Sequence, residues 1–235
     1  MSQPVHNSAD MLPAMAQLKA LQLLHVDDTL LVVNKPAGML SVPGLREGLH
    51  DNLTTHLQAL CSDARVVHRL YQATSGLMLF ARGAAMQRLL SMAFEARQVD
   101  KDYVAVVIGQ MDGESGSIDL PLLADWPNRP RQQVDLHNGK PALTHWQVLA
   151  HDGYTTRLNL QPITGRTHQL RVHLQAIGHA IVGDRLYAPG PHPNPHPDPQ
   201  PEPHDGDRLL LHSTRMAFMH PLRLQPCAYT SAPPF

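Results

Sequence analysis

The chain has 235 residues, of which 43% are hydrophobic and 17% are charged, and this composition excludes wholesale disorder and allows a substantial core. The formal net charge of −1 excludes a surface coated in basic residues, and two cysteines, Cys61 and Cys227, are too few for a disulfide scaffold or a four-cysteine metal site. A signal peptide begins with a positively charged segment, but no Lys or Arg precedes Lys19 in this chain. No apolar run is long enough to span a membrane. We therefore expect a cytoplasmic protein.

The apolar patterns predict a mixed α and β protein. Short apolar or β-branched runs that end at turn residues are typical of strands, and they occur, in chain order, at residues 30–34, 76–81, 103–109, 143–150, 154–161, 209–213 and 216–220. The tripeptide HDG at 151–153 predicts a hairpin between two of them. Apolar residues at helical spacing predict helices over 83–97 and 167–177. Since strand and helix do not alternate throughout, we expect an α+β domain on a mixed, mostly antiparallel sheet with flanking helices.

Charge and proline are unevenly distributed along the chain. Residues 65–185 hold thirteen Lys and Arg against ten Asp and Glu, which allows a local anion-binding groove in the middle of the sequence. Eight prolines at alternate positions predict an extended, Pro-rich low-complexity insertion at 189–204. We interpret its histidines as part of a surface insertion. His168 and His173 are five residues apart, whereas zinc pairs on a helix are four apart, so no metal site is expected.

Several glycine-punctuated segments occur together: NKPAGMLSVPG at 34–44, HRLYQATSGLMLFA at 68–81, KDYVAVVIG at 101–109, DLPLLADWPNRPRQQV at 119–134, GKPALTHWQV at 139–148 and ITGRTHQLRVHLQAIGHAIVGDRLYA at 163–188. Together they resemble the RluA-type RNA pseudouridine synthases, in particular the branch that modifies both 23S rRNA and tRNA. The resemblance runs from about Leu24 to Phe235. It implies a pseudouridine synthase catalytic domain over 24–235 with a central RNA-binding cleft, preceded by an N-terminal extension over 1–23.

One position departs from the family pattern. The family motif reads His-Arg-Leu-Asp, and its carboxylate is the indispensable catalytic group, but this sequence reads His68-Arg69-Leu70-Tyr71. Pseudouridylation breaks the bond between ribose C1′ and uracil N1 and rejoins the base through C5. Attack on C1′ and removal of a ribose proton both need an anionic oxygen. A phenol has a pKa of about 10 and is bulkier than a carboxylate, so we expect little or no isomerisation.

Two ways around this substitution stay open on sequence grounds, and neither is favoured. Tyr71 would act as a nucleophile itself, as the tyrosine of sialidases does, if nearby guanidinium groups lowered its pKa. Another acid would take over, but Asp63 and Asp184 do not occupy the motif position. A single-base codon change converts Asp to Tyr, and the other family residues are retained. We therefore favour an inactivating substitution in an otherwise intact site, with activity returning in a Tyr71→Asp variant.

The resemblance implies roles for further residues. Arg69 would help to flip the target base, Tyr103 would stack on the flipped uracil, and Leu210 or Leu211 would supply an apolar wall beside it. Arg171 would pair with the catalytic carboxylate, so with Tyr71 in place we expect its guanidinium to lose that partner. A phosphate is expected at the helix N-terminus near 165–167. Other RNA contacts are expected from His68, Thr74, Arg129, Arg131 and Arg166.

The resemblance implies no cofactor, because the isomerisation has no redox step. The expected partner is structured RNA, namely stem-loops of rRNA or tRNA, whose target uridine must be flipped out of its stack. Neither DNA nor a membrane is expected as a partner, and a monomer is expected. The alternative is a non-catalytic RNA-binding protein or RNA chaperone that uses the same cleft, with Tyr71 stacking on a base.

Overall fold

The computed structural model describes residues 22–44, 51–188 and 208–235. The predicted insertion at 189–204 and nearly all of the predicted N-terminal extension lie outside these residues. The chain divides after Glu95 into two compact units. No helix in the described ranges has the length and apolar character needed to cross a membrane.

The first unit is a small antiparallel sheet with two helices. Strand β2 pairs with β1 on one side and β4 on the other, and β3 pairs with β4. Its elements are β1 (Leu23–Val26), β2 (Leu30–Lys35), α1 (Leu53–Leu60), β3 (Ala64–Val66), β4 (Ser75–Arg82) and α2 (Gly83–Glu95). Strands β2 and β4 are buried almost throughout, which explains why both read as near-continuous apolar runs. The predicted strands at 30–34 and 76–81 and the predicted helix at 83–97 are confirmed.

The second unit is built on a larger antiparallel sheet. Its strands run in the order β11-β5-β10-β9-β6, and β12 also pairs with β11. Strands β7 and β8 form a separate hairpin. The elements are β5 (Val99–Ile108), β6 (Ser115–Asp119), β7 (Leu122–Ala124), β8 (Gln132–Val134), β9 (Leu143–His151), β10 (Thr155–Pro162), α3 (Gln169–Ala176), β11 (Leu211–Met219) and β12 (Pro226–Thr230).

The β9–β10 hairpin forms where the HDG tripeptide predicts it. The Asp152 carboxylate accepts hydrogen bonds from the backbone N–H groups of Tyr154 and Thr155, and Gly153 has a φ of 92°. Asp152 stabilises the turn through its side-chain hydrogen bonds, and Gly153 adopts the left-handed conformation that the turn requires, as expected for this type of turn.

Two predicted boundaries are wrong, for local reasons. The helix predicted over 167–177 is the shorter α3, because His168 has a φ of 54° and lies outside the helical region. The two strands predicted at 209–213 and 216–220 are the single strand β11. A bulge between Ser213 and Arg215 interrupts its alternation, and Thr214 Oγ1 donates to the carbonyl of Asp102 there. The expected α+β class with mostly antiparallel pairing is confirmed within each unit.

Candidate active site

In the first unit the candidate site is the loop that leads into β4. Tyr71 is half-buried, Arg69 is exposed, and Thr74 is only 3% exposed. The backbone N–H of Thr74 donates to the carbonyl of Tyr71 at 3.0 Å, so residues 71–74 form a tight turn. This turn leads directly into the buried strand β4, so the position of residue 71 is fixed relative to the sheet of the first unit.

A second loop, at residues 36–41, holds this turn in place. The backbone N–H of Gly38 donates to the carbonyl of Gln72 at 2.8 Å, and the Gln72 side-chain amide donates back to the carbonyl of Gly38 at 2.9 Å. The ammonium of Lys35 is fully buried and donates to three carbonyls, those of Pro36, Met39 and Gln72. A buried ammonium with three carbonyl partners is stable only while all of them stay in place. Lys35 thus ties the NKPAG segment to the residues around Tyr71.

Two residues predicted to contact RNA have contacts inside this unit. His68 Nε2 accepts the backbone N–H of Leu79 at 2.9 Å, and its ring stacks on Phe94 with a centroid distance of 4.5 Å. Thr74 is buried at the base of the turn. These contacts favour a role for both side chains in shaping the loop, whereas Arg69 is exposed and available to a ligand.

In the second unit, Tyr103 lies on β5 directly opposite Leu160 of β10 and Ser213 of β11. Burial raises the pKa of Tyr103 to about 12, an effect that the Ser213 hydroxyl partly offsets. The phenol is therefore protonated at neutral pH and cannot serve as a base there. Leu211 pairs with Ala105, two residues along from Tyr103, so Leu211 rather than Leu210 shares the face of Tyr103.

Arg171 has a partner that the sequence prediction did not give it. Its Nε donates to Asp184 Oδ2 at 2.7 Å and its Nη2 donates to Asp184 Oδ1 at 2.6 Å. The two side chains are 7% and 0% exposed. The loss of a carboxylate at position 71 therefore does not leave this guanidinium as an uncompensated buried charge, because the second unit supplies Asp184.

Tyr187 joins this ion pair to its surroundings. The Arg171 guanidinium lies 4.9 Å from the centre of the Tyr187 ring, and the guanidinium of the exposed Arg131 lies 5.5 Å from it. The Tyr187 hydroxyl accepts the backbone N–H of Gln132 at 2.8 Å and lies 2.7 Å from His168 Nδ1. Burial lowers the pKa of His168 to about 4, so the imidazole that shares this hydrogen bond is neutral at neutral pH.

The Gln169 side chain stabilises the turn that precedes α3. Its side-chain oxygen accepts from Thr164 Oγ1 and from the backbone N–H of Arg166, and its side-chain nitrogen donates to the carbonyl of Leu143. Arg166 Nε donates to the carbonyl of Pro141. The N–H group of Arg166, at the centre of the predicted phosphate seat, is thus already used within the turn. The Arg166 Nη groups remain as donors for a phosphate contact.

The β7–β8 hairpin carries an exposed aromatic–arginine pair. Trp126 is 63% exposed, and the Arg129 guanidinium lies 3.1 Å from the centre of its indole ring. Arg129 and Arg131 are both exposed. A flat, cationic surface of this kind suits contact with phosphates and unstacked bases.

Buried neutral histidines predict an acid-labile fold. Burial lowers the pKa of both His168 and His212 to about 4, from about 6.5 in an unfolded chain. The unfolded state binds protons more readily between these values, so stability is full above about pH 6.5 and falls as the pH drops towards about 4. We expect a loss of about 2 kcal/mol per histidine by about pH 5, measured as urea midpoints at about pH 7.5 and about pH 5.

His212→Gln provides the control for this prediction. Its own urea midpoint should lose about half of the pH dependence, because His168 still titrates. Equal midpoints of the parent chain at the two pH values would contradict the neutral state of both rings.

Sequence reasoning missed Tyr187, Gln169 and Lys35 as parts of the candidate site, and it considered Asp184 only as a substitute acid. All four stand inside the glycine-punctuated segments at 34–44 and 163–188, so their segments were singled out but their side chains were not. The available signal was the type of residue: a lysine directly after an apolar strand and a carboxylate after a glycine turn are both costly to bury without a partner.

Comparison with known protein families places this arrangement. The model of the family described as RNA pseudouridylate synthase matches residues 29–176. A protein of Escherichia coli K12 named dual-specificity RNA pseudouridine synthase RluA is 45% identical over 202 residues, which cover 86% of this chain and 88% of that protein. The proteins of the same name from Vibrio cholerae and Pasteurella multocida are 44% and 41% identical, covering 86% and 92% of this chain and 78% and 94% of theirs.

Two solved human structures have a similar fold. The chain titled RNA pseudouridylate synthase domain containing 4 has a TM-score of 0.73 at 25% identity, covering 95% of this chain and 94% of that one. The chain titled RNA pseudouridylate synthase domain containing 1 has a TM-score of 0.72 at 27% identity, covering 92% and 84%.

Proposed function

Because the chain belongs to the RluA-type RNA pseudouridine synthases, we propose that it is an RNA isomerase by descent that binds structured RNA but converts uridine to pseudouridine very slowly or not at all. The observation that carries this proposal is that Tyr71 occupies the catalytic position while the hydrogen bonds that hold its loop in place, from Lys35, Gly38 and Gln72, are all present. The relatives are named dual-specificity RNA pseudouridine synthases, and stem-loops of rRNA and tRNA are the targets that the family resemblance implies. The protein acts as a monomer, without cofactor or metal.

The proposed mechanism assigns one task to each group. Arg69, exposed beside Tyr71, occupies the space that the flipped uridine leaves, and Tyr103 stacks on the flipped uracil. Leu211 lines the face of Tyr103. A carboxylate at position 71 would attack C1′ or take a ribose proton, so that uracil leaves through N1, turns and rejoins through C5. Bond formation at C5 releases the carboxylate, or is accompanied by return of the ribose proton in the second route. The C5 proton is then lost to water and N1 takes up a proton, so the product is an isomer of uridine.

Tyr71 interrupts the first of these steps. A neutral phenol is a weak nucleophile and a weak base near neutral pH, since its proton must leave before its oxygen can act. Its ring also takes more room than a carboxylate in a turn fixed from two sides. RNA binding depends on other residues and survives.

RNA docking rests on the exposed arginines of the second unit. Arg129 and Arg131 neutralise phosphates beside the target loop, and Trp126 offers a ring face to an unstacked base. Arg166 adds a further cationic contact. This gives the localised positive charge that the net charge of −1 does not show by itself.

The direct test measures release of tritium from RNA labelled at uridine C5, using rRNA and tRNA stem-loop transcripts. We expect the chain to bind the stem-loops in a fluorescence anisotropy titration and to release no tritium above background. Release at the rate of an ordinary synthase would overturn the proposed block at Tyr71. Failure to bind either class of RNA would overturn the proposed function itself.

Charge removal on the β7–β8 hairpin should weaken RNA binding without altering the fold. Arg129→Ala and Arg131→Ala should each raise the Kd for a stem-loop about 5-fold and lower the slope of log Kd against log salt by about 1. The matched control is Arg88→Ala, which removes an exposed arginine from α2 and should leave both values unchanged. Equal effects of all three variants would indicate non-specific attraction.

A further inference from the structure

Asp184 is a carboxylate with no room for chemistry. Its Oδ1 accepts hydrogen bonds from Arg171 Nη2 and from the backbone N–H groups of Leu186 and Tyr187, and its Oδ2 accepts from Arg171 Nε. Its side chain is fully buried. A carboxylate whose two oxygens accept four hydrogen bonds and have no solvent contact is not accessible to a substrate and cannot attack a sugar. Asp184 is therefore not a substitute for a catalytic carboxylate at position 71.

The segment that bears Asp184 is anchored to the sheet on two sides. The backbone N–H of Val182 donates to the carbonyl of Val106 on β5, and the N–H of Leu210 donates to the carbonyl of Val182. The N–H of Ile108 donates to the carbonyl of Ala180. Residues 180–182 thus form an antiparallel bridge with β5, centred on Ile181 and Val107, and Asp184 follows directly after the next turn. Its position is set by the core of the second unit.

Arg171 is restrained on one edge and one face of its guanidinium. The Nε–Nη2 edge is taken by Asp184, and the face lies over the Tyr187 ring. Tyr187 is itself fixed by Gln132 and His168. The Nη1 edge is the one that these contacts leave for another acceptor. A planar guanidinium held in this way presents its remaining N–H groups in one direction only.

We propose that Asp184 is the positioning residue for Arg171, and that it orients the guanidinium for reaction whatever residue stands at position 71. This inference rests on the proposed function, together with the role that the family resemblance implies for Arg171 beside the catalytic carboxylate. It explains how a Tyr71 chain keeps a buried arginine without a structural penalty. It also implies that a Tyr71→Asp variant finds Arg171 already oriented, because the contacts that orient it lie wholly within the second unit.

The first measurement uses the chain as it stands and needs no activity. In a spectrum of 15N-labelled protein, the Arg171 Nε–H group should give a slowly exchanging signal, assigned by its loss in Arg171→Lys. We expect Asp184→Asn to abolish this signal or shift it to that of a freely exchanging arginine, while the backbone spectrum keeps its dispersion. An unchanged signal in Asp184→Asn would overturn the proposal.

The second measurement uses the Tyr71→Asp variant as parent. Adding Asp184→Asn should lower kcat for tritium release about 100-fold and leave the KM for the stem-loop within about 3-fold, and Asp184→Glu should recover part of kcat. The matched control is Asp63→Asn, which breaks the Asp63–Arg82 pair of the first unit, also joined through Arg Nε at 2.7 Å, and should leave kcat unchanged.

The outcomes separate the two proposals. The positioning role would be overturned if adding Asp184→Asn to the Tyr71→Asp parent left kcat unchanged. It would also be overturned if adding Asp63→Asn lowered kcat by as much as Asp184→Asn does. Should Asp184→Asn fail to fold, Asp184→Glu carries the test, since it keeps the charge but displaces the guanidinium and should lower kcat at constant KM. Silence of the Tyr71→Asp parent would overturn the proposed function, while the Arg171 signal still decides whether Asp184 holds the guanidinium.

Discussion

Tyr71→Asp is expected to raise the rate of tritium release from a C5-labelled stem-loop by at least about 10³-fold, which corresponds to about 4 kcal/mol of barrier. The substitution supplies an anionic oxygen where the family carries one and removes the bulk of the phenol ring. The rest of the loop needs no change, because Lys35, Gly38 and Gln72 already fix the turn. The measurement compares initial rates for this chain and the variant on the same transcript.

Two further variants separate charge from space. Tyr71→Asn has the size of aspartate without its charge, and we expect it to stay silent. Tyr71→Phe keeps the bulk and loses the hydroxyl, and it should behave like the parent. Recovery by Tyr71→Asn as large as that by Tyr71→Asp would contradict the role assigned to the carboxylate.

The same assay decides between enzyme and binding protein. Activity of the parent that Tyr71→Phe abolishes would make the phenol itself the nucleophile. Silence of both the parent and Tyr71→Asp, with RNA binding intact, would favour a non-catalytic RNA-binding protein or chaperone in which Tyr71 stacks on a base.

The sequence carried much of the fold because its central strands are locally unambiguous. The runs at 30–34, 76–81 and 103–109 are apolar, short and bounded by turn residues, and each is a strand in the structure. The fold they build is the α+β pseudouridine synthase fold, as the likeness to the two human structures indicates. Six short strands were not predicted, because strands of three to five residues show too little periodicity in the sequence; they are β1, β3, β6, β7, β8 and β12.

The contacts of the candidate site were harder to predict. The position of Tyr71 in the catalytic motif can be read from the sequence, because it depends on a single local segment. The partner of Arg171 depends on a carboxylate 13 residues further along, brought back by the turn after α3 and by pairing with β5. No local sequence pattern predicts that the chain brings Asp184 back to Arg171. Likewise, the helix predicted over 167–177 fails at His168, where the Gln169 side chain closes a turn in place of helical hydrogen bonds.

Gly183 is the position where a single methyl group should do the most damage. Its φ is +75°, and a Cβ built there would lie 1.8 Å from the carbonyl oxygen of Arg208 and 2.5 Å from its carbonyl carbon. Both are backbone atoms, so no side-chain rotation relieves the overlap. The strand-like segment at 180–182 lies on one side of this contact and Asp184 on the other, so the backbone cannot move away without disturbing the Arg171 ion pair.

Gly183→Ala should therefore lower the free energy of unfolding by about 4 kcal/mol or more, combining about 1–2 kcal/mol for a left-handed alanine with the cost of separating two backbones. Urea denaturation measures this loss. Gly178→Ala is the matched control, because Gly178 has a φ of +89° but nothing lies within 4 Å of the position that its added methyl group would take, so only the conformational cost of about 1–2 kcal/mol applies. Equal losses in the two variants would mean that the close approach of Arg208 to Gly183 does not exist in solution. A much larger loss at Gly183 would tie the stability of the second unit to the same turn that carries Asp184, so that the fold and the orientation of Arg171 depend on one backbone contact.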